Sequence, residues 1–355
     1  MTARIVVAGG GTAGHIEPAL AVAEVLRDSH GADVTALGTE KGLETTIVPA
    51  RGFPLELIEP VPIPRKKPLK LLGVPAKLAR SVRQTRAVLK KTAADAVFGT
   101  GGYVSASAYL AAKSLGIPFY VLETNALAGM ANKLGVKLGG TGFNAVPNSG
   151  MPGEVLGIPV RPGVGVDDDG VKAARGYKSW NLDPDRPTVL VTGGSQGARS
   201  INTALEGAVD RLTAAGYQVL HAYGRKNDAP AKREHYTAVP YIDDMEAAYA
   251  VADVVVCRSG AMTVAENSAA GVPAIYIPLP HGNGEQGLNS AHLVDKGAAV
   301  RIDDAALTSD ALVEAVTGIL GPDGSAAGMR AALAGSGAGN AAEEIARRII
   351  GERTS

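Results

Sequence analysis

Two stretches of this 355-residue chain repeat one arrangement, an apolar strand running into a glycine turn that opens a helix: Ile5–Leu26 (IVVAGGGTAGHIEPALAVAEVL) and Val189–Leu205 (VLVTGGSQGARSINTAL). Glycine lets the backbone approach an anion closely, and the helix start behind it offers unpaired N–H groups at the positive end of a dipole. Two such phosphate cradles predict two nucleotide-fold domains facing a cleft. Around them, short β-branched strands alternate with amphipathic helices, the pattern of a parallel α/β sheet. Strands are expected at Arg4–Ala8, Val34–Leu37, Ala96–Phe98 and Phe119–Leu122, then at Thr188–Thr192, Gln218–Ala222, Val254–Cys257 and Ala274–Ile277. The fold class expected is α/β, with two Rossmann-like, doubly wound parallel-sheet domains.

The chain is longer than one hydrophobic core usually serves, and its 46% apolar content can fill two. A formal net charge of zero gives no global attraction to nucleic acid. Cys257 alone cannot form an internal disulfide and fits a reducing compartment. The first strand begins almost at the N-terminus, which leaves no room for a signal peptide, and no apolar run nears the ~20 residues of a membrane span. A cytoplasmic protein is expected. The proline-rich stretch 157–187, with its run Asp167–Asp169, reads as a hinge and an irregular lead-in. Domains are therefore placed at 1–160 and 161–338, with 339–355 carrying a last helix, Asn340–Ile350, that crosses back onto the first domain.

Gly9-Gly10-Gly11-Thr12-Ala13-Gly14 fits G-x-G-x-x-G between strand and helix. The acid that a nicotinamide nucleotide needs at the end of the second strand is badly placed, since only Glu40 is near, past a glycine. His15 follows the loop in the first helical turn, where the dipole disfavours imidazolium and keeps the ring neutral, as a general base requires; packing at the turn is its structural alternative. The five other histidines have no metal-binding spacing, so no metal site is expected. A third glycine turn, Gly99–Ser105 with Gly101, Gly102, Tyr103 and Ser105, and the segment Leu122-Glu123-Thr124-Asn125 also end strands on this carboxyl edge and imply a polar pocket.

In the second half, Cys257–Glu266 runs from a buried strand through a small-residue turn into a helix starting near Thr263. Thr263-x-x-Glu266 matches a capping box, so Glu266 either caps this helix or accepts both hydroxyl protons of a ribose. The loop Pro280–Asn289 carries Glu285, Gln286 and Asn289 among glycines, suited to sugar hydroxyls or to plain solvation.

In order along the chain, GGGTAGH at 9–15, GGYVS at 101–105, ETNALAGMANK at 123–133, PVR at 159–161, GGSQGA at 193–198, YIDDM at 241–245, CRSGAMTVAE at 257–266 and HGNGEQGLNS at 281–290 resemble the MurG family of bacterial glycosyltransferases. The resemblance implies a GT-B fold and transfer of N-acetylglucosamine, with inversion, from UDP-GlcNAc to the muramoyl 4-hydroxyl of undecaprenyl-diphospho-MurNAc-pentapeptide, turning lipid I into lipid II. It implies a donor site of Thr12, Ala13, Gly14, Asn125, Arg161, Ser195 at the diphosphate, Ile242 at uracil, the run Ala261, Met262, Thr263, Val264 and Ala265 along the nucleotide, Glu266 at the ribose and Gln286 at GlcNAc. Gly11, Gly101, Gly102, Tyr103 and Ser105 would face the acceptor diphosphate, and His15 would be the base. No tightly bound cofactor is implied, in keeping with the lack of a D-x-D motif between the nucleotide segments. Where many members read His-Glu-Gln-Asn, this chain has Leu122-Glu123-Thr124-Asn125, which makes Glu123 a second candidate for proton handling.

A lipid-linked acceptor requires membrane contact. From Arg65 to Lys91 the chain has ten Lys or Arg and no acid. Leu71, Val74, Leu78, Val82 and Leu89 repeat at helical spacing, the mark of a helix packed on its own sheet. Before it, Arg65, Lys66, Lys67 and Lys70 interleave with Leu69, Leu71 and Leu72, a composition for peripheral attachment to an anionic leaflet on the cytoplasmic face. Other cell-wall and division proteins are possible partners. Three alternatives stay open: a GT-B enzyme with another acceptor, a nicotinamide-dependent oxidoreductase, and a non-catalytic sugar-nucleotide or lipid binder. The oxidoreductase leaves the second glycine unit and 257–290 without a task.

Overall fold

The computed structural model describes residues 2–61, 74–161, 163–167, 169–194, 196–280, 284–334 and 340–351. They form two compact units, Met1–Arg161 with Asn340–Ser355, and Pro162–Gly339. In the first, in chain order, are β1 Arg4–Gly9, α1 Ala13–Asp28, β2 Asp33–Gly38, α2 Glu44–Ala50, β3 Leu55–Leu57, α3 Val74–Lys91, β4 Ala96–Gly101, α4 Gly102–Leu115, β5 Phe119–Glu123, α5 Met130–Lys137, β6 Thr141–Asn144 and β7 Glu154–Val155. The second holds α6 Val171–Trp180, β8 Thr188–Thr192, α7 Arg199–Ala214, β9 Gln218–Ala222, β10 Tyr236–Val239, α8 Met245–Val251, β11 Val254–Cys257, α9 Ala261–Ala269, β12 Ala274–Tyr276, α10 Glu285–Asn289, α11 Ala291–Asp295, β13 Ala299–Arg301, α12 Ser309–Leu320 and α13 Ala326–Ala334. The last helix, α14 Ala341–Gly351, returns to the first unit.

Among the described residues each unit is built on one sheet, ordered β3-β2-β1-β4-β5-β6-β7 in the first and β10-β9-β8-β11-β12-β13 in the second. Neighbouring strands are parallel throughout. Both sheets step outward one way from their first strand and then reverse, the order of a doubly wound nucleotide fold, so each has its switch point between its first and fourth strands. Helices cover both faces, which is why the central strands read as continuous apolar runs. On β1, Ile5 and Val7 pack with Leu20 and Leu26 of α1, while Val6 and Ala8 pack with Leu89 of α3 and Tyr109 of α4. Likewise Leu190 and Val255 face one core of the second unit, and Val189, Val191, Val254 and Val256 the other.

α14 completes the first unit. Ile345, Ala346 and Ile349 are buried in the core shared with α1, and Arg348 pairs with Glu154 at 2.9 Å while Glu343 meets His30 at 3.1 Å. The first segment of this unit ends at Arg161, one residue past the expected boundary. A second difference is α6, in the stretch expected to be irregular. The Asp167 carboxylate accepts from the Ala173 and Lys172 amides at 2.7 and 3.3 Å, so this acid serves the first turn of a helix. Among the described residues no helix is long and apolar enough to cross a membrane. Arg65, Lys66, Lys67, Lys70, Leu71, Leu72 and Ser195 lie outside the described residues.

Candidate active site

In the second unit the carboxyl ends of β8 and β11 open onto a cavity of about 180 Å³ at the switch point. Thr192 and Gly194 come from the glycine turn, Arg258 and Gly260 from the turn after β11, Thr263 and Glu266 from one face of α9, Tyr241, Ile242, Met245 and Tyr249 from the approach to α8 and from α8, and Gln286 from α10. Glu266 is 8% exposed and accepts a hydrogen bond from the Tyr249 hydroxyl at 3.0 Å. Burial and the neighbouring carboxylate hold the Tyr249 hydroxyl protonated far above its ordinary range, so it serves Glu266 as a fixed donor.

The glycine turn is held by short local bonds. The Gly194 amide donates to Thr192 Oγ1 at 3.1 Å and the Gly197 amide to the Gly194 carbonyl at 2.9 Å. Arg258 reaches the Ile277 carbonyl at 3.1 Å and Ser200 Oγ at 2.9 Å, tying the turn after β11 to the start of α7. Gln286, which also lines the cavity, accepts from the Leu279 amide at 3.0 Å through Oε1.

The structure corrects two readings of this segment. α9 begins at Ala261 with Gly260 as its N-cap, so Thr263 is inside the helix and Glu266 in its second turn; the capping-box alternative for Glu266 falls away. Of the run 261–265 only Thr263 lines the cavity, and Val264 is turned into the core with Leu190 and Val255. Tyr241, Met245, Tyr249 and Arg258 were missed as site residues. The i, i+4 pair of Met245, the last residue of YIDDM, and Tyr249 was the available signal.

In the first unit the same edge of the sheet gathers the first and third glycine turns around His15. His15 lies in the first turn of α1, whose N-cap is Thr12, and its carbonyl accepts from Thr100 Oγ1 at 2.6 Å. A Cβ on Gly9 would lie 2.4 Å from that hydroxyl oxygen, so the glycine is what admits the bond. Gly101, with φ 119°, lies flat against the imidazole; a Cβ there would stand 2.8 Å from Cε1 and 2.9 Å from Nδ1. Burial lowers the His15 pKa, against smaller upward effects of the Glu123 charge and the Thr100 backbone. The direction agrees with the sequence reading, and burial is its largest cause.

Glu123 is 1% exposed, and its carboxylate accepts from the Asn125 amide at 2.9 Å, Asn125 Nδ2 at 3.2 Å, the Gly129 amide at 2.9 Å and Asn132 Nδ2 at 2.9 Å. A carboxylate so fully engaged shapes the turn that presents Asn125. Ser105 is likewise turned inward and fully buried: its hydroxyl donates to the Ala8 carbonyl at 2.6 Å and accepts from the Gly101 amide at 3.0 Å, so it ties the end of β1 to the third glycine turn. Glu44, missed by sequence reading, is fully buried beneath the first turn and accepts from Thr39 N and Oγ1 at 3.0 Å and from the Gly11 amide at 3.4 Å. Gly11 belongs to the first turn, Gly102 and Tyr103 open α4, Ala13 and Gly14 open α1, and Arg161 ends the first segment of the unit.

The family model for the glycosyltransferase family 28 N-terminal domain matches residues 5–139, and that for the family 28 C-terminal domain matches 188–348. A Corynebacterium efficiens protein named UDP-N-acetylglucosamine--N-acetylmuramyl-(pentapeptide) pyrophosphoryl-undecaprenol N-acetylglucosamine transferase is 62% identical over 342 residues, covering 96% of this chain and 95% of its own. The crystal structure of Acinetobacter baumannii MurG superposes with a TM-score of 0.73 at 28% identity over 98% of this chain and 99% of that one. The chain belongs to the MurG family. A Nocardia farcinica protein of the same long name is 51% identical over 98% of this chain and 95% of its own. Outside the MurG family, the calicheamicin glycosyltransferase CalG4 shares the fold alone, at 17% identity and a TM-score of 0.69 over both whole chains. Two Rossmann-like units in a GT-B glycosyltransferase are what the sequence predicted.

Proposed function

We propose that this enzyme moves N-acetylglucosamine from UDP-GlcNAc to the muramoyl 4-hydroxyl of undecaprenyl-diphospho-MurNAc-pentapeptide, the step from lipid I to lipid II in peptidoglycan synthesis. Membership of the family supports the reaction, and the cavity at the β8/β11 switch point, with a buried carboxylate opposite a glycine turn, carries the assignment of the donor site. Glu266, steadied by Tyr249, accepts from the two ribose hydroxyls. The Gly193–Gly197 turn with Ser195 and the N-terminal end of α9 meet the diphosphate, the Ile242 backbone meets uracil, and the Gln286 amide reads GlcNAc. Asn125, Arg161 and Thr12–Gly14 complete the donor set.

His15 is the base. Its Nδ1 is buried by the Thr100–Gly101 backbone, so Nε2 is the nitrogen offered to the acceptor. The 4-hydroxyl oxygen bonds to the anomeric carbon as the bond from that carbon to UDP breaks on the opposite face; the hydroxyl proton passes to His15 and the electron pair leaves with UDP, giving inversion. N–H groups of the glycine turn and helix start offset the charge that develops on the diphosphate. Holding both substrates in line contributes up to ~7–11 kcal/mol. Glu123 acts by positioning Asn125 and by its charge on His15 rather than as the base.

The basic and leucine-rich segment Arg65, Lys66, Lys67, Lys70, Leu71 and Leu72 supports peripheral attachment to an anionic membrane on the cytoplasmic face, where the acceptor's lipid lies; each basic residue near such a surface gains ~1 kcal/mol. The deciding experiment is transfer of radiolabelled GlcNAc to a lipid I analogue. Labelled lipid II is expected, and binding of UDP-GlcNAc without transfer would reduce the protein to a binder. Reversing the charges at 65, 66, 67 and 70 should abolish co-sedimentation with anionic vesicles; unchanged binding counts against the membrane segment.

A further inference from the structure

His221 stands one residue from the carboxyl end of β9, 2% exposed, outside the lining of the donor cavity. Its ring is held at both nitrogens: Nδ1 lies 2.7 Å from the Tyr236 hydroxyl and Nε2 3.1 Å from Asn202 Oδ1. Asn202 Nδ2 donates to the Tyr223 carbonyl at 2.9 Å, which makes Oδ1 the acceptor. Nε2 therefore carries the proton, and Nδ1 accepts from Tyr236. Burial pushes the His221 pKa down to about 4, so the ring keeps this neutral form through the physiological range; Glu206, which is paired with Arg233, is the charge that opposes the shift.

The chain of bonds continues to the donor site. The Tyr223 carbonyl also accepts from Asn227 Nδ2 at 2.8 Å, and the same amide donates to the Gln196 carbonyl at 3.1 Å, inside the glycine turn after β8. The two turns touch backbone to backbone there. Gly197 has φ 72°, and a Cβ on it would lie 2.3 Å from the Tyr223 carbonyl oxygen, while one on Gly224, with φ 90°, would lie 2.5 Å from the Gly197 nitrogen. The direction of one carbonyl, at Tyr223, thus fixes where Gln196 and Gly197 run.

We propose that His221 is a positioning residue for the donor diphosphate, setting the shape of the Gly193–Gly197 turn from behind through Asn202, the Tyr223 carbonyl and Asn227. The Tyr223 carbonyl, which can only accept, takes the NH2 of Asn202, and the imidazole N–H holds the other end of the same amide at Oδ1. Without it the Asn202 amide keeps its carbonyl partner but loses the contact that fixes it from behind. The importance of the turn for UDP-GlcNAc rests on the proposed function; its dependence on His221 does not.

Two readouts separate these. In the ligand-free protein, amide deuterium uptake by the peptide spanning 193–198 should be about tenfold faster in His221→Leu than in wild type, the scale of one lost buried hydrogen bond. His221→Gln, whose amide NH2 reaches the Nε2 position, should restore most of the protection, and Asn227→Ala, which cuts the tie to Gln196 alone, should loosen the turn should the Leu variant not fold. Calorimetric titration with UDP should show a Kd raised about tenfold in His221→Leu and Asn227→Ala, with kcat within about twofold of wild type. Unchanged uptake in 193–198, or equal losses in His221→Leu and His221→Gln, overturns the positioning role. A loosened turn with no UDP binding by wild type keeps that role and removes the donor reading.

Discussion

The Tyr249 hydroxyl donates to the Glu266 carboxylate at 3.0 Å, joining α8 to α9 across the wall of the donor cavity. Tyr249 has no other duty in that cavity that a phenylalanine would fail to perform. Tyr249→Phe should raise the KM for UDP-GlcNAc about tenfold with kcat nearly unchanged, and Glu266→Gln should raise it further, since hydrogen bonds to a charged group contribute ~1.5–3 kcal/mol. Steady-state kinetics with varied donor checks both, and a fall in kcat alone would argue that Glu266 acts on the reacting carbon instead.

His15 works as a base only when unprotonated. Its pKa is depressed from 6.5 by burial, so the acid limb of kcat/KM should have its midpoint below pH 6.5. The Glu123 charge raises the His15 pKa, so Glu123→Gln should move the acid limb to still lower pH. His15→Ala should cost ~10²–10⁴ in kcat with little change in donor KM. A limb at or above pH 6.5, or one that shifts upward in Glu123→Gln, would refute the assignment.

Gly101→Ala places a methyl group against the His15 ring at a backbone angle that side chains rarely adopt. The variant should be less stable by ~1–3 kcal/mol and should lose at least about tenfold in kcat, because the ring must move. Thermal unfolding and kinetics together separate the two effects.

Much of the fold was legible in the sequence for one physical reason. Strands buried on both faces are continuous apolar runs, so β8, β9 and β11 were bounded correctly from composition alone. The strands that were missed, β3, β6, β7, β10 and β13, are two to four residues long and cluster at the sheet margins, where pairing with a neighbour rather than side-chain pattern defines them. At the site, motif residues were found because glycine turns and helix starts are local. The fate of Ser105 was not: the Ala8 carbonyl under it belongs to β1, 97 positions away, and only folding brings the two together. Glu123 takes its donors from residues just downstream, Asn125, Gly129 and Asn132, but composition does not show that their amides fold back onto it. Glu44 escaped for the same reason as Ser105, lying 33 positions from the Gly11 amide that it receives.

Ile345 anchors α14 in the core of the first unit, fully buried. Ile345→Ala should destabilise by ~2–5 kcal/mol. The loss should appear as faster deuterium exchange in β1 and β4, while the fluorescence of Trp180, the single tryptophan and a residue of the second unit, should report an unchanged unfolding midpoint there.

Stability should also depend on pH through His221. Its folded pKa of about 4 is below the unfolded value of 6.5, so the native state binds fewer protons and loses stability as the pH falls from 6.5 toward 4. At ~1.4 kcal/mol per unit the loss is on the order of 3 kcal/mol. Urea midpoints measured across that window should fall in wild type and fall less in His221→Gln.

The position of α14 also governs birth of the chain. The first unit is finished by residues that leave the ribosome after all of the second, because 340 follows 161 by 179 positions. At ~5–20 residues per second, α1 waits roughly 9–36 s with its apolar face uncovered while the second unit is made. The second unit, an unbroken stretch of chain, is therefore the first to reach its native form, and the first unit is the one that needs protection during synthesis.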